Sequence, residues 1–216
     1  MLKKYYFLNA EAKLELKNDS AQLLKAACPE VQAALVSASI RDAIPGREAS
    51  HSGVLELWFR EAADTSSFDA TSLFGNSVVV KHQLEGFERT VMRTPEFYSS
   101  PSIKGLYAFR RKQDMPVEEF QQYWWHNHGP IASLTEGATC YVQTHITLES
   151  YGQGNPPFDG VTELYWPNLN VALAALGSRQ MTEDQGDDAK NFVDLSSVDL
   201  AMTEQHMIIP PWKETA

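Results

Sequence analysis

Cysteine is scarce: Cys28 and Cys140 are the two in 216 residues, far apart and without CxxC or Cys/His spacing. That argues against a disulfide framework and a structural zinc site, and both thiols read as small buried side chains. Basic residues are also few, 18 against 28 acidic, giving a net charge of −10. The densest basic group is Arg110, Arg111 and Lys112, so nucleic acid would meet a repulsive field. No apolar run approaches the roughly 18–20 residues that cross a bilayer, and the opening MLKKYYFLNAEAKLELK has too short an apolar segment for a secretory signal. A cytosolic protein without nucleic-acid or membrane partners is expected. Phosphate loops, dinucleotide fingerprints and local Ser-His-Asp motifs are missing too, and no organic cofactor is expected.

What is present is the balance of a globular chain, 43% apolar and 21% charged, long enough for one large domain or two small ones. Internal similarity favours two copies. GVLELWF at 53–59 and GVTELYW at 160–166 share Gly, Val, Glu and Leu in register. Three weaker matches keep the same order: YYF (5–7) with YAF (107–109), LVSASI (35–40) with YVQTHI (141–146), and VVVKHQL (78–84) with VDLAMTE (198–204). RTPEFYSSPS, 93–102, reads as a linker, placing one unit at 1–98 and the other at 99–216.

Each copy reads as strand, helix, strand, strand, helix, strand. The second copy predicts strands near 103–111, 138–148, 159–167 and 197–207, helices near 116–134 and 168–178, and a helical turn at 187–191. This is an α+β chain of two tandem ferredoxin-like βαββαβ units, each leaving one sheet face for the other to cover. The antiparallel sheets then pack as a pseudo-dimeric barrel within one chain, and a further homodimer stays open.

The second copy carries FQQYWWHNHGPIA (120–132). At 3.6 residues per turn Val117, Phe120, Trp124, His128 and Ile131 form one apolar stripe, while His126 lies about 200° away beside Glu119 and Gln122. His128 is therefore expected to face the sheet and His126 the solvent. Their i, i+2 spacing suits no metal. Pro130 removes a donor and disfavours helix at Gly129, so the helix is expected to kink after His128 and free the His126 carbonyl. Either His128 is a satisfied core histidine, or it is an imidazole serving a pocket beside that opening.

EEFQQYWWHNHGPIA, together with FRRK, YVQTHI, FDGVTELYW and DDAKNFVD in this order, resembles the EthD-like family of dimeric α+β barrel proteins over about Lys104–Ile209. The first copy keeps GVLELWF and the general pattern and looks like a degenerate copy. The resemblance implies sheets packed face to face, with a pocket between sheet and helices. Its members and relatives include cofactor-free decarboxylases, cyclases and lactone isomerases, and proteins with no established activity. The histidine of the His-Gly-Pro motif falls on His128. Since SAQLLKAACPEVQ in the first copy holds neither His nor Trp, one site per chain is expected.

Proton transfer by His128 on a small hydrophobic or aromatic carbonyl compound, as in a lyase or isomerase, is the chemistry that fits. A non-catalytic binding or assembly protein is the alternative, with haem or oxygen chemistry a third. Phe120 and Trp124 are candidate pocket walls, Tyr123 and Trp125 its mouth, and Tyr141, His145 and Phe192 further substrate-binding residues. His145 either lines the pocket or sits in the sheet contact. Asp187, Asp188, Phe192 and Asp194 either close over the pocket or form a solvated face. Glu56 and Glu163, present in both copies, read as framework, and Asp159 as a turn residue.

Overall fold

The strands are β1 (Leu2–Asn9), β2 (Ala33–Ser39), β3 (Gly53–Phe59), β4 (Val79–Arg93), β5 (Ile103–Arg111), β6 (Cys140–Ile146), β7 (Gly160–Trp166) and β8 (Val193–Ile209). In β1, Lys3, Tyr5 and Phe7 alternate with Leu2, Tyr6 and Leu8, and both sets are buried. Such a strand must lie between two layers. The computed structural model, describing residues 1–98 and 102–210, provides them: an antiparallel barrel closed in the order β1-β3-β2-β8-β5-β7-β6-β4, with helices outside. Closure leaves no sheet edge. The order β4-β1-β3-β2 recurs as β8-β5-β7-β6, and β2–β8 and β4–β6 join the halves.

Pairing corrects the register of the weaker matches. Lys3 faces Trp58 as Lys104 faces Tyr165, and Leu35 faces Glu56 as Val142 faces Glu163. Tyr5 therefore corresponds to Leu106 rather than Tyr107, and Leu35 to Val142 rather than Tyr141. A slip of one residue exchanges the two faces of a strand, which matching aromatic letters does not detect. The first part of the expected linker is regular structure: β4 runs to Arg93 and a 3-10 turn spans Pro95–Tyr98. Residues 99–101, at the proposed boundary, and 211–216, at the end of the second unit, lie outside the described residues.

Inside the barrel Tyr5, Phe7, Leu84, Leu106 and Ile146 pack beside four buried charges. Lys3 and Lys104 alternate with Glu56 and Glu163: Lys104–Glu56 is 2.5 Å, Lys3–Glu56 2.9 Å and Lys104–Glu163 3.5 Å, and Lys3 also pairs with Glu163. Burial would raise the Glu163 carboxyl, but the Lys104 and Lys3 ammoniums outweigh it and hold it below the usual carboxylate range. Each half supplies one cation and one anion, the Lys104–Glu56 and Lys3–Glu163 contacts cross between the halves, and Lys3 also meets Glu88 at 3.1 Å.

In the first half α1 (Ser20–Ala27) ends just before Pro29, and the expected second helix is only a 3-10 turn, Ala70–Leu73. The second half carries α2 (Val117–Tyr123), α3 (Gly129–Ala132), a short α4 (Leu148–Gly152), α5 (Leu169–Leu176) and α6 (Gly186–Ala189). Glu118 and Glu119 sit in the first turn of α2, and Asn168 caps α5 through the Val171 amide at 3.0 Å. Among the described residues no helix is long and apolar enough to cross a membrane.

Candidate functional site

The expected kink after His128 is a π-turn instead, Trp124–His128, joining α2 to α3. Pro130 cannot donate to His126, and the ladder widens so that the Gly129 amide donates to the Trp124 carbonyl. That carbonyl also accepts from Gln143 Nε2 on β6 at 3.1 Å. Trp124 is fully buried against β7, where a Cβ on Gly160 would stand 2.6 Å from its ring. The glycine is what lets the helix approach the sheet here.

The widened turn aims His128 inward and leaves His126 exposed. His128 Nδ1 lies 2.8 Å from Asp188 Oδ2 on α6, and Tyr123 donates to Asp188 Oδ1 at 2.7 Å. Asn191 donates to the Tyr123 hydroxyl at 3.0 Å. Burial lowers the His128 pKa while Asp188 opposes the fall, and the balance favours the neutral ring. With Nδ1–H donating to the carboxylate, Nε2 is the free lone pair, and it makes no hydrogen bond to the described residues.

Beside His128 lies a cavity of about 170 Å³ between the outer face of the sheet and the α5–α6 segment. Of the expected residues, Trp124, His128 and Phe192 line it. Phe120 lies behind them, its ring centre 5.6 Å from that of Trp124 and 5.9 Å from that of Phe192. Tyr123 holds Asp188 rather than the cavity mouth. Tyr141 is buried beneath the helix and accepts from Gln143 at 2.7 Å. Trp125 lies beneath the Arg89 guanidinium, 5.4 Å from it. His145 is not in the contact between sheets: it stacks on Trp124 at 4.6 Å and donates to Gln143 Oε1 at 2.9 Å. Burial, with Arg89 adding to it, lowers its pKa to about 3.

Within the insertion, Asp188 and Phe192 belong to the site. Asp187 pairs with exposed Lys190 and Asp194 caps a turn through Ser196. Asp159 anchors Arg111 at 2.6 Å and Tyr151 at 2.7 Å. The reading from sequence missed Tyr107, Thr162 and Gln185 on the cavity wall. For Tyr107 the signal, alternation along β5, was hidden by the one-residue slip, and Gln185 lies in the segment between α5 and α6. A larger cavity of about 950 Å³ sits among residues 9–14 and 38–52, shares no lining residue with the first and is lined by residues of both charges. The smaller one combines an apolar wall with a buried, oriented imidazole, the stronger mark of a reactive site. Among the described residues no cluster of His, Cys, Asp or Glu could hold a metal ion.

Residues 112–196, which span the π-turn, the insertion and most of the cavity lining, match the EthD domain. This part of the chain is an EthD domain. An EthD family protein from Bacillus halodurans aligns with 18% identity and a TM-score of 0.39, over 48% of this chain and 97% of its own. The whole barrel is similar to an anthrone oxidase-like protein: TM-score 0.55, 7% identity, 100% of this chain and 95% of the other. It is similar also to a Rhodococcus jostii DypB variant solved with haem: TM-score 0.52, 10% identity, 94% and 92% covered. At these identities the likeness to the last two shows the fold alone. No curated protein matches the sequence significantly. Haem does not fit beside His128 of the EthD domain: a four-pyrrole macrocycle far exceeds about 170 Å³, and Trp124 and Phe192 close the space around the imidazole.

Proposed function

We propose that the chain is a cofactor-independent lyase or isomerase acting on a small aromatic or polyketide-like carbonyl compound, with His128 as general acid and base. The observation that carries this reading is the His128–Asp188 hydrogen bond of 2.8 Å at the wall of an apolar cavity. Asp188 fixes the tautomer, so Nε2 takes a proton from an acidic carbon or phenol and returns it to another atom of the same molecule. The imidazolium formed between these transfers is stabilised by the carboxylate beside it. Such catalysis contributes roughly 10²- to 10⁴-fold. Trp124 and Phe192 hold the substrate, Tyr123 positions Asp188, and Phe120, Tyr141, Trp125 and His145 support the wall.

We read the two halves, 1–98 and 99–216, as duplicated ferredoxin-like units, one of which retains a site. The recurring strand order and the shared charge quartet support this. Within one chain the first half then does what a second subunit does for a homodimer.

The test compares wild type with His128→Asn and Asp188→Asn on a panel of aromatic and polyketide-like carbonyl compounds. The reading expects a loss of about 100-fold or more in turnover for His128→Asn with ligand binding retained. Unchanged turnover would remove His128 from catalysis, and binding without turnover of any compound by wild type would leave a binding protein.

A further inference from the structure

The cavity beside His128 is small enough to restrict what enters it. An apolar cavity of roughly 150 Å³ accepts one benzene ring, so about 170 Å³ accommodates one six-membered ring rather than a fused set. The wall is apolar at Phe109, Trp124 and Phe192, while the sheet beneath contributes Tyr107 and Thr162, opposite each other on the β5–β7 ladder. The Tyr107 hydroxyl is wholly withdrawn from solvent, yet it meets no hydrogen-bond partner among the described residues. An unpaired buried hydroxyl is destabilising and calls for something that completes it.

The first half shows the same ladder position without a site. There Tyr6 faces Leu55, and the Tyr6 hydroxyl bonds Thr65 at 3.2 Å. Leu55 is fully buried in the core. In the second half the leucine is replaced by Thr162 and the tyrosine loses its protein partner, both where a cavity opens. Arg47, from the first half, donates to the carbonyl of the cavity residue Val198 at 2.6 Å. Burial raises the Tyr107 pKa and the Arg47 charge opposes this, so a cation lies near a hydroxyl that stays protonated and able to donate.

We propose that Tyr107 determines specificity at this site by donating a hydrogen bond to an oxygen substituent on a single six-membered ring, phenolic or enone, that also meets His128. This rests on the reading of His128 as the reactive group. The experiment titrates phenol and fluorobenzene, which differ in the substituent and little in size, into full-length wild type and Tyr107→Phe, following the His128 imidazole and the ligand by NMR. Wild type should bind phenol about tenfold or more tightly than fluorobenzene. Tyr107→Phe should lower phenol to the fluorobenzene level and leave fluorobenzene unchanged, which also shows the variant folded. Equal affinities in wild type, or a phenol preference that survives in Tyr107→Phe, would overturn the role of Tyr107 while ligand-induced shifts at His128 still placed the ring there. If neither ligand shifts His128, both the proposal and the reading beneath it fall.

Discussion

The two halves share a strand order and differ in what fills the space outside the sheet. In the first, Leu14, Leu24, Leu55, Phe68 and Phe74 form a continuous core under α1. In the second, a π-turn brings Trp124 and His128 inward and a cavity stays open beside them. Gly53 and Gly160 hold equivalent places, yet a Cβ at Gly53 would meet Leu14 and the Ser37 carbonyl, whereas one at Gly160 would meet the Trp124 ring. One close approach to the sheet thus serves packing in one half and a site in the other.

The largest effect is expected where the halves depend on each other. Glu163→Gln leaves Lys3 and Lys104 with one fewer buried anion, and Glu56→Gln does the same, so each should cost about 3–5 kcal/mol in chemical denaturation. A cost below about 1 kcal/mol for either would mean that the quartet does not join the halves.

Acid should act chiefly through the second half. Its folded-state His145 pKa, about 3, lies below the ordinary histidine value, so the unfolded chain binds the proton first. The stability fully present above pH 6.5 is then lost on acidification by up to about 1.4 kcal/mol per pH unit until pH approaches 3. His145→Gln should flatten that slope in denaturation curves taken between pH 4 and 7; an unaltered slope would contradict a buried neutral His145.

Next come the paired glycines. Gly160→Ala must displace the Trp124 ring and Gly53→Ala must shift backbone, each costing roughly 1–3 kcal/mol. Only Gly160→Ala should weaken ring binding at the cavity, as read by ligand titration. Equal weakening by both would erase the division of labour.

Much of this was legible in sequence. The repeated G-V-x-E-L strand, the order of elements and the separation of His128 from His126 follow from spacing and periodicity, and the structure has His128 buried and His126 exposed. The register was not legible: Lys3 and Lys104 correspond, but neither the short YYF and YAF letters nor their aromatic character separates an inward from an outward side chain. The partner of His128 was legible only as a class. Asp187 and Asp188 are adjacent acids in one insertion, and the turn of α6 alone decides which reaches the imidazole. Nor does periodicity foresee the π-turn, which shifts the ladder by one residue at the position where Pro130 withholds its donor.

The smallest change carries the sharpest test. Asp188→Asn removes one charge, and NMR titration of the His128 ring in wild type and variant reads what that charge does. The Nδ1–H tautomer with a pKa below 6.5 is expected in wild type, and a lower pKa in Asp188→Asn, because the carboxylate is what offsets burial. A His128 pKa that Asp188→Asn leaves unmoved or raises would contradict the histidine–aspartate pair on which the proposed chemistry depends.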